Sequence, residues 1–205
     1  ISEKLLAAGW SVVGLARDHS KFTPDSKAYH PQVVDVSDLE SLPGILKDLV
    51  KQFDVGAVVS NAGSGRFGGL ESSSPNQIRA YLDANLLSHV LVARALVPHL
   101  KTRGGGHLII MGSESALQGA RKGSLYCTAK FGLRGLAQSL RDECANGGLK
   151  VTLINPGMVR TPFFEGLGFR PGEDESNAIE PHEVAEAVMM VVNAGPSVVF
   201  DEMNL

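Results

Sequence analysis

A chain of 205 residues fits one domain with a sizeable core, because chains divide into several domains only well beyond this length. Its composition, 43% hydrophobic and 20% charged with 23 Gly and 10 Pro, excludes the disordered, collagen-like and low-complexity classes. Lys and Arg number 19 against 22 Asp and Glu, for a net charge of −3 without a long one-signed run. That balance argues against a nucleic-acid partner or a polybasic membrane surface and for small, largely neutral partners.

The chain opens on Ile1 to Gly9, which lacks an initiator Met and reads as the second half of an amphipathic helix ending at a glycine cap. A segment upstream is therefore expected. Short Val/Ile-rich runs predict strands at Trp10 to Leu15, Gln32 to Val36, Val55 to Ser60, His107 to Met111, Lys150 to Ile154 and Ser197 to Phe200. Between them, helical periodicity covers Leu39 to Phe53, Pro75 to Leu100, Ser124 to Ala145 and Pro181 to Asn193, with Asp38, Ser74 and Glu180 near the starts. The longest stretch without periodicity, Arg160 to Ile179, reads as a loop or lid. No run reaches the ~18 uninterrupted apolar residues of a membrane span, so no membrane crossing is expected. Cys127 and Cys144 form neither a disulfide framework nor a metal-ligand spacing, which favours a reducing, cytoplasmic setting and no metal.

Strands buried on both faces and joined by helical crossovers predict an α/β fold: a doubly wound parallel sheet in three layers, α/β/α. Ligands of such sheets bind outside the carboxyl ends of the strands. Polar and glycine residues gather at those ends: Arg17-Asp18, Asp35-Val36, Ser60-Asn61-Ala62-Gly63, Gly112-Ser113 and Asn155-Pro156-Gly157. Tyr126 and Lys130, four apart, fall on one helix face, and Ser113 lies thirteen residues before Tyr126. Cys127, beside Tyr126, reads as a small packed side chain with no role in the chemistry. Ser113 alone reads as a turn cap and Tyr126 alone as a core residue. Their combination at the strand ends does not read that way.

Ser113, Tyr126 and Lys130, with Asn61-Ala62-Gly63, Asn85 and Pro156-Gly157-x-Val159-x-Thr161, resemble the short-chain dehydrogenase/reductase family essentially end to end. The resemblance implies a Rossmann-type seven-stranded sheet, a nicotinamide cofactor and reversible hydride transfer between an alcohol and a carbonyl compound. It implies that Asn85 holds a water connecting Lys130 to solvent, and that Asp35-Val36 contacts adenine. Asn61-Ala62-Gly63 forms the cofactor-side turn in such proteins, although Ser60 replaces the commoner first Asn. It also implies that the helices Pro75 to Leu100 and Ser124 to Ala145 pair subunits into a homodimer or homotetramer. One departure is clear: the family opens with a strand and a Thr-Gly-x-x-x-Gly-x-Gly loop that receives the pyrophosphate, and this sequence holds neither. The first central strand is thus expected to be missing. Either a gap between Trp10–Leu15 and Val55–Ser60 or a substitute segment should follow, within a single dinucleotide-binding domain, residues 1–205, that is incomplete at its N-terminus.

The chemistry follows from the residues. A tyrosine hydroxyl of pKa ~10 needs roughly 4 kcal/mol to fall by about three units. One ammonium at ~4 Å in an effective dielectric of ~20 supplies about that much, which casts Lys130 as the perturber of Tyr126. Ser113 donates to the substrate oxygen while Tyr126 gives or removes the proton. After the first visible strand, Ala16 stands where an acidic residue would favour NAD, and Arg17 follows, which resembles the NADP-preferring branch, with His19 and Lys21 adding positive charge. Phe163, Phe164, Leu167 and Phe169 either offer an apolar lining for a small carbonyl or alcohol substrate or pack the lid onto the domain. A dinucleotide-binding regulator or scaffold without turnover is the alternative, supported only by the absent glycine loop.

Overall fold

The computed structural model describes residues 1–205, the side chain of Glu175 excepted. Helix α1 (Ser2–Ala7) leads into β1 (Val12–Ala16), which pairs in parallel with β2 (Tyr29–Val33). After α2 (Leu42–Gln52) come β3 (Ala57–Ser60), α3 (Pro75–Leu82), a π turn (Asp83–Leu87), α4 (Ser88–Thr102) and β4 (Gly106–Met111). The chain closes with α5 (Ser124–Cys144), β5 (Leu149–Asn155), α6 (Pro181–Val192) and β6 (Glu202–Asn204). The second sheet is parallel throughout, in the order β3-β4-β5-β6.

Side-chain alternation along the strands separates two cores. Leu108 and Ile110 of β4 face Leu46, Val92, Leu96 and Leu133 of α2, α4 and α5, whereas Ile109 and Met111 face Leu5, Val184 and Val188 of α1 and α6. The result is the expected three-layer Rossmann-type α/β fold. The sheet is nonetheless in two parts. No hydrogen-bonded pairing joins β1 to β3 among the described residues, and a cavity of about 780 Å³ between them is lined by Val12 to Ala16 on one side and Val55 to Ser60 on the other. Six strands in two sheets thus stand where the resemblance implied seven in one.

Several boundaries differ from the sequence expectation for identifiable reasons. The second strand lies at Tyr29–Val33 rather than Gln32–Val36, because Tyr29 packs over Gly14 and a strand paired on one side only tolerates Pro31. The last strand is Glu202–Asn204, not Ser197–Phe200; Val198 and Val199 are exposed, and pairing to Leu153–Asn155 overrides hydropathy. Helix α2 starts three residues late, after Asp38 folds back to accept from the Ser41 hydroxyl at 2.6 Å. The expected helix Pro75 to Leu100 contains the π turn. Pro75–Thr102 is long enough to cross a membrane, and one 18-residue stretch within it reaches a mean hydropathy of 1.2, which the uninterrupted-run criterion missed; here Val92, Ala93, Leu96 and Leu100 face the core.

Candidate active site

The carboxyl ends of β3, β4 and β5 open onto a pocket of about 690 Å³. Ser113 lies two residues past the end of β4. Its N–H donates to Asn155 Oδ1 at 3.2 Å and its hydroxyl accepts from the Ser115 N–H at 3.2 Å, fixing the turn from both sides. Asn155, at the end of β5, is held in turn because its amide donates to Glu202 Oε1 at 2.7 Å and Asn204 Oδ1 at 3.0 Å. Tyr126 sits in the first turn of α5 and Lys130 one turn later, so their side chains share a face. Lys130 Nζ lies 5.8 Å from the centre of the Tyr126 ring and donates to the Met111 carbonyl at 2.9 Å.

The electrostatics differ from the expectation. Burial raises the Tyr126 hydroxyl above its ordinary pKa; a hydrogen bond with Ser113 opposes this, while Glu114 and Cys127 add to it. Burial also pulls the Lys130 ammonium down to about 8. In this state of the protein desolvation outweighs the depression that Lys130 was expected to impose on Tyr126, and the phenol stays protonated at neutral pH.

Of the other sequence candidates, Asn61, Gly63, Pro156, Gly157 and Thr161 line this pocket with Ser113, Tyr126 and Lys130. Asn85 does not line it. It is buried in the π turn behind it, where Oδ1 accepts the Ser64 N–H at 2.7 Å and Nδ2 donates to the Tyr81 carbonyl at 2.9 Å. Ala62 and Val36 face the cavity between β1 and β3 instead. Arg17 and Asp35 are exposed; hydrogen bonds from Ser37, and then the Arg17 guanidinium, hold the Asp35 carboxyl below its ordinary range. The His19 ring is engaged away from Arg17, bonding the Tyr29 hydroxyl and the Gln32 carbonyl, both at 3.0 Å.

On the far side of Tyr126 the walls are aromatic. Phe67 lies 5.1 Å from the Tyr126 ring and 4.8 Å from Phe169, and Phe163 lies 6.0 Å from Tyr126, all as centroid distances. Leu167 packs against Gly65 rather than lining the pocket. Sequence reading missed Phe67, Tyr81 and His89, and named Asn155 among the strand-end residues without giving it a role. Asn155 carried a signal, since it opens the Asn-Pro-Gly run at a strand end, whereas the others sit in periodic or loop segments where nothing marks them.

A nicotinamide-type group fits the strand-end cradle in one respect. Gly63, Gly112 and Gly157 keep the walls bare of Cβ atoms, and at Gly63 a Cβ would stand 3.0 Å from Asn85 Oδ1. The glycine-rich loop that would receive a pyrophosphate is not among these residues.

The sequence profile described as short chain dehydrogenase matches residues 1–169. Estradiol 17-beta-dehydrogenase 1 of Rattus norvegicus is 37% identical over 139 residues, which cover 68% of this chain and 40% of that protein. An uncharacterized oxidoreductase of Staphylococcus epidermidis is 27% identical over 210 residues, 100% of this chain and 90% of the relative. Among solved structures, an alcohol dehydrogenase from Thermococcus sibiricus complexed with 5-hydroxy-NADP has a TM-score of 0.86 and 26% identity, over 100% of this chain and 88% of that one. A 3-ketoacyl-(acyl-carrier-protein) reductase from Brucella melitensis complexed with NADH shares the fold, with a TM-score of 0.87 at 19% identity over 100% of this chain and 89% of that one. The extent of the profile match, together with this parallel sheet and its strand-end pocket, shows that the chain belongs to the short chain dehydrogenase family.

Proposed function

We propose that the protein is an oxidoreductase that transfers hydride between NADP(H) and a small, uncharged carbonyl or alcohol substrate. The observation that carries this reading is the meeting of Ser113, Tyr126 and Lys130 on one strand-end pocket that also has an aromatic wall. The cofactor, when bound, supplies or accepts the hydride. Ser113 orients the substrate oxygen, and Tyr126, held protonated by its burial, gives that oxygen its proton in the reducing direction. Lys130 sustains a positive charge behind the phenol, and Asn85 backs the turn on the cofactor side. Gly63, Asn61, Ala62, Pro156, Gly157 and Thr161 border the cofactor, with Asp35 and Val36 toward the adenine end.

NADP is favoured over NAD because Arg17 is exposed after β1 without an acidic residue at Ala16, and because the Thermococcus relative holds an NADP derivative. The rings of Phe67, Phe163 and Phe169 favour apolar over sugar-like substrates. In this reading the cleft between β1 and β3 takes one further parallel strand of a single dinucleotide-binding domain, the protein works in the cytoplasm, and helices α4 and α5 pair it into a homodimer or homotetramer. Phe131, exposed on α5, and Leu87, exposed just before α4, support that pairing. A panel of ketones, aldehydes and alcohols assayed with NADPH and NADH tests the activity. Turnover of at least one apolar ketone is expected, and cofactor binding without any turnover would favour a regulator or scaffold.

A further inference from the structure

The turn after β3 is held from behind by one polar ladder. Tyr81, Asn85 and His89 follow one another at intervals of four along the α3–α4 run, and each reaches the segment Ser60 to Ser64. The Tyr81 hydroxyl donates to the Ser64 carbonyl at 2.9 Å, and Asn85 Oδ1 accepts the Ser64 N–H at 2.7 Å. His89 Nε2 meets the Ala62 carbonyl at 2.8 Å and Nδ1 meets the Ser60 hydroxyl at 2.7 Å. A carbonyl only accepts, so Nε2 carries the proton; Nδ1 then accepts from Ser60. His89 and Asn85 are each 2% exposed, so neither bond set has water as a ready substitute. The π turn at Asp83–Leu87 lets Asn85 and His89 both face the segment, since its extra residue re-aims the helix between Tyr81 and His89.

We infer that His89, through the paired bonds to Ser60 and Ala62, is a positioning residue that sets the Asn61-Ala62-Gly63 turn for the cofactor. The inference rests on the NADP(H) reading proposed above and extends it to a residue that never touches the cofactor. Without the imidazole, the Ser60 hydroxyl and the Ala62 carbonyl lose their shared anchor, and the turn is free to shift where Gly63 already approaches Asn85 closely. The two partners act as a unit, so removing either should cost about as much as removing both.

The test measures NADPH affinity by fluorescence titration of wild type, His89→Leu, His89→Gln, Ser60→Ala and the Ser60→Ala/His89→Leu double variant. Melting temperatures and steady-state KM and kcat are read beside it. His89→Leu is expected to weaken NADPH binding about tenfold and raise its KM in step, with kcat at saturating cofactor within about twofold. His89→Gln, which keeps a donor and an acceptor, should recover most of that loss, and the double variant should match His89→Leu. A wild type that binds no NADPH overturns the cofactor reading itself. Normal NADPH affinity in His89→Leu and Ser60→Ala, with only a lowered melting temperature, overturns the positioning role while leaving that reading intact. If His89→Leu does not fold, Ser60→Ala decides: unchanged affinity contradicts the inference and a severalfold loss supports it. Nitrogen chemical shifts of His89 give a readout independent of activity, since the inference requires the neutral Nε2–H form and a protonated ring at neutral pH would contradict it.

Discussion

Asn155 Oδ1 accepts the backbone N–H of Ser113 at 3.2 Å, so the end of β5 fixes the turn that follows β4. The same amide donates to Glu202 and Asn204, which makes Asn155 the joint between three strand ends. Asn155→Ala leaves the buried Ser113 N–H without its acceptor and removes the donor from two side chains. A loss of at least about 2 kcal/mol of stability is expected, measured by urea unfolding, with turnover falling as Ser113 loosens. Wild-type stability in this variant would mean that the joint is dispensable.

Replacing Tyr126 by Phe removes the proton donor and keeps the ring packed against Phe67 and Phe163. Turnover should fall by about a hundredfold or more while the urea midpoint stays near wild type. Near-normal turnover would move the proton transfer to another group.

Tyr126, Lys130 and Ser113 were legible because helix periodicity and strand ends place them without knowledge of the tertiary packing, and the alternation of apolar runs gave the three-layer fold. Asn85 was legible only as a position. Its π turn depends on one extra residue between two helical segments, and hydrophobic periodicity is too coarse to register it. His89 was hidden for a different reason: a histidine in an apolar helix face has no sequence mark that separates a satisfied core residue from one gripping a loop. The strand Glu202–Asn204 was missed because pairing to β5, not its own hydropathy, makes it a strand.

His89 also makes a prediction about acid stability. Burial, and after it the charge of Lys130, lowers the imidazole from 6.5 to about 4. The unfolded chain therefore binds a proton between those values that the folded protein refuses. Its contribution is fully present above pH 6.5 and is lost as the pH falls toward 4, by about 3 kcal/mol in all. His89→Gln should show a shallower fall of unfolding free energy across that window. Parallel curves for the two proteins would show that His89 protonates equally well in the folded state.

Arg17 is expected to set cofactor choice through charge-assisted bonds to a 2′-phosphate. Arg17→Ala should shrink the ratio of NADH to NADPH dissociation constants by about tenfold, mainly by weakening NADPH. An unchanged ratio in titrations of both cofactors would assign the preference elsewhere; Lys21 would be the next residue to replace.

In the proposed reaction Tyr126 delivers a proton while a nicotinamide delivers hydride to one substrate in this pocket. Single-turnover oxidation of NADPH by an apolar ketone, followed by the absorbance of the reduced nicotinamide in wild type and in Tyr126→Phe, tests it most directly. Stoichiometric conversion of ketone to alcohol is expected in the wild type, and a rate reduced by about a hundredfold or more in the variant. Equal rates in the two proteins, or NADPH bound but left unoxidised by every ketone in the wild type, would contradict it.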